Sequence, residues 1–241
     1  MDIQQHILTG NDCYQAGRKI NPTGIVVHDT ACNQRKISAY LKSWNRSGVE
    51  KCVHAFIGNR PDGSFGVVQT LPWDHRCWGC GKGNKGSYNA SHIQFELCQD
   101  DRTDKGWFNR CYETAVELCA WLCKEFCIPV ENIVDHAEAH ARGYASNHSD
   151  TTDWFPLYGK SMDTFRADVK AAMEEFKPYL VKITTDELNV RAQASASSKI
   201  NTVVHRGEVF TIVGEAYNGP TLWGKLKSGA GWISLRYTKK R

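Results

Sequence analysis

Two histidines in this chain stand where an apolar run stops. Gly24-Ile25-Val26-Val27 ends in His28, and Ile133-Val134-Asp135 ends in His136. Each run is rich in β-branched residues and reads as a buried strand. Each therefore delivers an imidazole to the rim of a sheet, where open α/β sheets carry their active sites. A third polar cluster, Asn147-His148-Ser149-Asp150, follows. Histidines and a carboxylate converging from three segments are the donor set of a catalytic zinc ion, with a fourth position left for water. Such an ion polarises a carbonyl and lowers the pKa of bound water toward ~7. Hydrolysis then needs a base for that water and a donor for the developing oxyanion. Glu96 has the right chemistry for the base, although its pattern alone better describes a solvated strand carboxylate. Glu138, His140 and His148 compete with the other donors. His136 and His140 are four apart and share a face of a helix, whereas His148 and Asp150 share a face only if extended. Spacing does not choose among these sets.

The elements that must position these groups follow from hydrophobic period. Lys36 to Ser47 has Ile37, Tyr40, Leu41 and Trp44 at helical spacing. Cys52 to Ile57 reads as a strand carrying His54, and Arg60-Pro61-Asp62-Gly63-Ser64 turns it back into a partner strand, Phe65 to Thr70. Residues 73–91 fit neither period, and a loop of that length in a compact domain is usually functional. His92 to Cys98 alternates as a strand, with Gln94 and Glu96 on its polar face. Residues 109–127 form a long amphipathic helix ended by Pro129. Ser161 N-caps a last helix that runs to Phe176.

At Lys177-Pro178 the character changes. Short strands then alternate with glycine-punctuated turns, which predicts a small all-β barrel. The expected architecture is α/β: a central mixed β-sheet flanked by helices over residues 1–176, a linker at 177–182, and an SH3-like barrel over 183–241. Residues 181–241 hold ten Lys or Arg against four Asp or Glu, while the whole chain has net charge +4. A basic module on a slightly acidic body points to an anionic surface as partner.

The 241 residues contain no apolar run long enough to span a membrane. Met1 to His6 lacks the basic-then-apolar pattern of a signal peptide, so synthesis in a cytoplasm is expected. The ten cysteines, all between Cys13 and Cys127, are then expected to be reduced. Cys119, Cys123 and Cys127 form a helical stripe of small hydrophobes. Cys77-Trp78-Gly79-Cys80 is a lone CxxC, open to a redox or metal role.

Gly24-Ile-Val-Val-His28-Asp-Thr30 resembles the first strand of the zinc-dependent N-acetylmuramoyl-L-alanine amidases of the type 2 family, which share a fold with peptidoglycan-recognition proteins. Val53-His54-Ala55-Phe56-Ile57 with its Asp-Gly turn is similar to that family's second strand and hairpin. Gln69-Thr70-Leu71-Pro72 and the Trp78-x-x-Gly81 loop are similar to the segment that follows. Asn89 and His92-Ile-Gln-Phe-Glu96 resemble the family's Asn and Ser-Ile-Gly-Ile-Glu. His136 and His148-Ser-Asp150 resemble its later ligand region, so the likeness runs in order over roughly residues 20–173. The resemblance implies zinc ligands His28, His136 and Asp150, and Glu96 as the base. It implies His148 as oxyanion donor in a place where the family often has Lys, with His148 as a ligand left open. His54 and Trp78 are implied to border the substrate groove. Gly79 stands where a His often follows the loop Trp, and Val53 stands where some members have Tyr.

Leu188-Asn189-Val190-Arg191, Gly207-Glu208-Val209-Phe210, Trp223-Gly224-Lys225-Leu226 and Gly231-Trp232-Ile233 resemble a bacterial SH3 domain. That likeness implies cell-wall binding, with Tyr217 and Trp223 stacking on wall material. The implied partners are peptidoglycan and anionic wall polymers, not nucleic acid and not a membrane interior. Together the two likenesses suggest a phage or prophage endolysin. It would be made in the host cytoplasm, reach the wall after release, and cleave the amide between N-acetylmuramic acid and L-alanine. The rival expectations are a non-catalytic recognition protein and a zinc peptidase cutting elsewhere in the stem peptide.

Overall fold

The computed structural model describes residues 1–174 and 176–241. The chain forms two compact units, Met1–Glu174 and Glu175–Arg241. In the first, strands β1 (Ile3–Gln5), β2 (Gly24–Asp29), β3 (Ala55–Asn59), β4 (Phe65–Gln69), β5 (His92–Leu97) and β6 (Ile133–Asp135) make one sheet. Its helices are α1 (Asp12–Gln15), α2 (Ile37–Trp44), α3 (Lys105–Phe126), α4 (His136–Ala141), α5 (Thr151–Trp154) and α6 (Met162–Glu174). The strand order is β1-β4-β3-β5-β2-β6. Only the β3–β4 hairpin is antiparallel; β2 runs parallel to β5 and β6. The expected mixed sheet is therefore present. The unbroken apolar run of β2 has its reason here, because a parallel strand between two neighbours is covered on both faces, and every β2 residue is buried.

α3 explains its own limits. Asp104 caps it by accepting from the Trp107 N–H at 3.0 Å, and Cys127 leaves it in the left-handed conformation. Trp107, Phe108, Cys111, Ala115, Leu118, Cys119 and Leu122 recur at helical spacing, and all lie in the main core. Cys119 and Cys123 are buried as expected, while Cys127 is exposed. Ser161 Oγ accepts from the Thr164 N–H at 3.2 Å, the predicted cap of α6.

Three expectations need correction. The strand predicted from Cys52 begins only at Ala55, because Cys52 instead makes a single bridge to Trp78 and the backbone of His54 departs from strand geometry. The N-terminal segment read as turns contributes β1, which pairs with β4. The linker expected at 177–182 is mostly strand, since Tyr179–Ile183 pairs with Val209–Ile212 and Thr238–Lys240.

The second unit comprises that strand, β7 (Tyr179–Ile183), with β8 (Glu187–Arg191), β9 (Ile200–His205), β10 (Val209–Asn218), β11 (Thr221–Leu226), β12 (Trp232–Ser234) and β13 (Thr238–Lys240). They form one antiparallel sheet of order β13-β7-β10-β11-β12-β8-β9. Val181 from one side and Val204 from the other share a single buried cluster with Val190, Ile212 and Ile233. The sheet is thus rolled around its own core, as the expected small barrel requires.

Candidate functional site

β2, β5 and β6 run parallel, so their C-terminal ends lie side by side. The register sets His28 opposite Glu96 and Val27 opposite Asp135. His136 follows at once. Asp135 starts α4 by accepting from the Glu138 N–H at 2.8 Å, which turns the chain so that His136 is the first helical residue. Asp150 comes from the loop before α5, with φ of +43°. That conformation is uncommon for a residue with a side chain and costs about 1–3 kcal/mol, so its surroundings must hold it. Two anchors do so. The Thr151 hydroxyl donates to Asp135 Oδ2 at 2.7 Å, and fully buried Trp154 packs edge-on against Phe108 with ring centres 5.4 Å apart.

Three donor atoms meet there. His28 Nδ1 and His136 Nδ1 lie 2.7 and 3.0 Å from Asp150 Oδ2 and 3.2 Å from each other. The other nitrogen of each ring is engaged elsewhere, His28 Nε2 with Gln94 Oε1 at 2.9 Å and His136 Nε2 with Ser146 Oγ at 3.2 Å. Ser146 Oγ itself donates to the Cys80 carbonyl at 3.3 Å, so it accepts from His136. Each imidazole thus turns Nδ1 toward the carboxylate. Lone pairs this close repel unless a proton or a cation lies between them. This trio could hold a metal ion, and two imidazoles with one carboxylate suit zinc.

The electrostatics favour positive charge at this point. Burial opposes protonation of His28, yet its hydrogen bond to Asp150 and the charges of Asp150 and Glu96 raise its pKa to about 9. Asp150 is held well below the usual carboxylate range: burial raises it, but the bonds to His136 and His28 prevail. Glu96 is pushed up to about 8, by burial above all, with Asp150 and Asp29 adding repulsion. Its Oε2 is shielded and has no protein partner. Asp29 is raised to about 7, again mainly by burial.

A stability prediction follows from these directions. His28, Glu96 and Asp29 all bind their protons more tightly folded than unfolded, so the metal-free protein must lose stability as pH rises. The His28 contribution is complete below about pH 6.5 and is lost as pH climbs through about 9. Thermal melts of chelator-treated protein should therefore fall from about pH 6 to about pH 9. A flat or rising trend would refute this account of the cluster.

The remaining predicted residues divide. His148 is exposed at the mouth of the site, its Nδ1 3.2 Å from Ser146 Oγ and its ring centre 4.7 Å from that of His136. Trp78 lines the same cleft, a space of about 530 Å³ that also takes in Tyr40, Trp44 and Lys51. Glu138 is instead paired with Arg166 at 2.7 Å, and exposed His140 meets the Ala145 carbonyl at 3.1 Å. His54 does not border the groove. It is completely buried, with Nδ1 accepting from the Gln94 N–H at 3.0 Å and Nε2 donating to the His75 carbonyl at 2.9 Å. Its role there is to satisfy backbone groups where β3 begins. The CxxC thiols are buried, and that burial pushes both above the ordinary cysteine range, the setting of structural rather than reactive cysteines.

In the second unit Tyr217 is 75% exposed, whereas Trp223 is only 4% exposed. Trp223 lies opposite Ala216 and Ser234 in the middle of the sheet, where it lines a cleft of about 490 Å³ with Arg236 and Tyr237. Sequence reasoning gave no role to Ser146, Gln94 or Asn89; Gln94 had a signal in its position on the same strand face as Glu96, and Asn89 entered only as part of the family resemblance.

The site is thus an open mixed sheet with a histidine–carboxylate cluster that could hold a metal ion at its C-terminal rim and a half-buried glutamate beside it. The chain belongs to the N-acetylmuramoyl-L-alanine amidase family, which matches residues 17–153. A bacterial SH3 domain matches residues 186–239. Protein Ami of Listeria monocytogenes is 21% identical across 89% of this chain and 25% of its own length. The N-acetylmuramoyl-L-alanine amidase CwlA of a Bacillus species is 26% identical across 52% of this chain and 47% of its own length. The chain thus spans a quarter to about half of these relatives. The solved structure of PlyL superimposes with a TM-score of 0.56 at 20% identity, covering 70% of this chain and 97% of PlyL. That likeness concerns the fold.

Proposed function

We propose that this protein is a zinc-dependent peptidoglycan hydrolase. It cleaves the amide between the lactyl group of N-acetylmuramic acid and L-alanine of the stem peptide. The observation that carries this reading is the convergence of His28, His136 and Asp150 beside Glu96, inside the part of the chain that matches the amidase family. His28 and His136 through Nδ1, and Asp150 through a carboxylate oxygen, are the groups that would hold zinc. Zinc bound there supplies a polarised scissile carbonyl and a water of lowered pKa.

The protein's own groups do the rest. Glu96 has a shielded, unpartnered oxygen facing no protein donor, so it takes the proton of the attacking water and passes it to the departing amine of L-alanine. His148, at the mouth and hydrogen-bonded to Ser146, donates to the oxyanion. Tyr40, Trp44 and Trp78 give the cleft apolar walls against which the sugar and peptide lie. The second unit, basic and carrying exposed Tyr217, holds the enzyme on peptidoglycan and anionic wall polymers. Among the described residues no helix is long and apolar enough to cross a membrane. The reading is of an endolysin-like enzyme that acts on the wall of a Gram-positive host.

Digestion of purified Gram-positive peptidoglycan tests it. New N-terminal L-alanine, without new reducing ends, abolished by chelator and restored by zinc, is the expected result. A different exposed N-terminus would make the protein a peptidase. No cleavage with wall binding retained would make it a recognition protein.

A further inference from the structure

We propose that Gln94 is a positioning residue that fixes the tautomer of His28, and that Gly79 exists to make room for it. The inference rests on the zinc reading above and concerns how one ligand is oriented.

Backbone groups have donor and acceptor roles that cannot be exchanged. Asn89 Oδ1 accepts from the N–H groups of Gly79 and Cys80, each at 3.0 Å, and Asn89 Nδ2 donates to the Gly81 carbonyl at 3.2 Å. The Asn89 amide therefore has one possible orientation. Its Oδ1 also lies 3.0 Å from Gln94 Nε2. An oxygen that only accepts requires the Gln94 amine on that side, which sends Gln94 Oε1 the other way, to 2.9 Å from His28 Nε2. That oxygen too can only accept. In the neutral ring that a cation requires, His28 Nε2 must then carry the proton, and the Nδ1 lone pair is left toward Asp150 and His136. A chain of single-valued hydrogen bonds runs from the loop backbone to the ligand atom, and an outer partner of this kind typically changes metal affinity 10- to 100-fold.

The fit of Gln94 is equally determined. Its side chain is fully buried. A Cβ added at position 79 would stand 2.4 Å from Gln94 Oε1 and 3.0 Å from Val53 Cγ1. Gly79 has no left-handed φ, so space and not backbone freedom is what requires glycine there.

The test uses the full chain with zinc alone as probe, and measures zinc affinity by chelator competition for wild type, Gln94→Leu and Gly79→Ala. Gln94→Leu keeps the volume and removes the acceptor; Gly79→Ala leaves Gln94 in place and pushes its oxygen away. Both should weaken zinc binding roughly 10- to 100-fold. Imidazole nitrogen NMR of the zinc-loaded protein reads the tautomer directly. In wild type, the His28 Nε2–H should be a protected, slowly exchanging proton with zinc on Nδ1, and that protection should be lost in Gln94→Leu. A purely packing role for Gln94 would not move this signal. Wild-type zinc affinity in both variants, or a wild-type His28 protonated on Nδ1, overturns the assignment. A wild-type protein that binds no zinc overturns the metal reading itself, a separate result obtained before any variant is made.

Discussion

Glu96→Gln should bind zinc as wild type does and should hydrolyse the muramoyl–alanine amide about 10²- to 10⁴-fold more slowly. The amide is nearly the same size as the carboxyl and sits in the same shielded place, so folding and the ligand cluster are preserved. What it lacks is a proton-accepting oxygen at the one position in the cleft where Oε2 has no protein partner. The wild-type carboxyl is raised to about 8 by burial and by its acidic neighbours when no cation is present. Positive charge at the adjacent ligands must lower it, because an opposite charge favours the ionised form. The acidic limb of the rate profile then reports Glu96, and that limb should disappear from the residual activity of Glu96→Gln. Metal analysis and a pH–rate profile on the same preparation check both parts. A metal-free variant would place Glu96 among the ligands, and a fully active one would remove it from the chemistry.

Asp150→Ala should lose zinc on dialysis and fall to the activity of chelator-treated wild type. The carboxylate is the only anionic donor of the trio, and it lies within 3.0 Å of both imidazoles. Without it, two neutral rings face each other at 3.2 Å. Binding to the folded state alone raises stability by RT ln(1 + [L]/Kd), so excess zinc should raise the melting temperature of wild type and leave that of Asp150→Ala unchanged. His148→Ala provides the contrast, with zinc retained and catalysis impaired. Retention of one equivalent of zinc by Asp150→Ala, together with its loss from His148→Ala, would make His148 the third ligand.

The sequence by itself carried the strand endings and the order of the site. An apolar, β-branched run that stops at a histidine can be recognised without coordinates, because burial dictates the run and the sheet's rim dictates where it stops. His28 and His136 were legible for that reason, as was the division into an α/β body and a small β unit, whereas Glu96 was singled out only by the family resemblance. Asp150 entered as one donor among several, and resemblance singled it out from Glu138, His140 and His148. Only the tertiary structure separated them physically. Asp150 is brought in by a left-handed residue and two anchors from distant segments, whereas Glu138 is occupied by Arg166. His54 and Trp223 show the same boundary from the other side. Both are side chains of the right chemical type, and both are withdrawn from the expected surface by packing that no local spacing encodes. The relay from Asn89 through Gln94 to His28 was invisible in sequence because it joins three segments through side-chain hydrogen bonds. Hydrophobic periodicity records which face a residue lies on; it does not record what a polar atom on that face will meet.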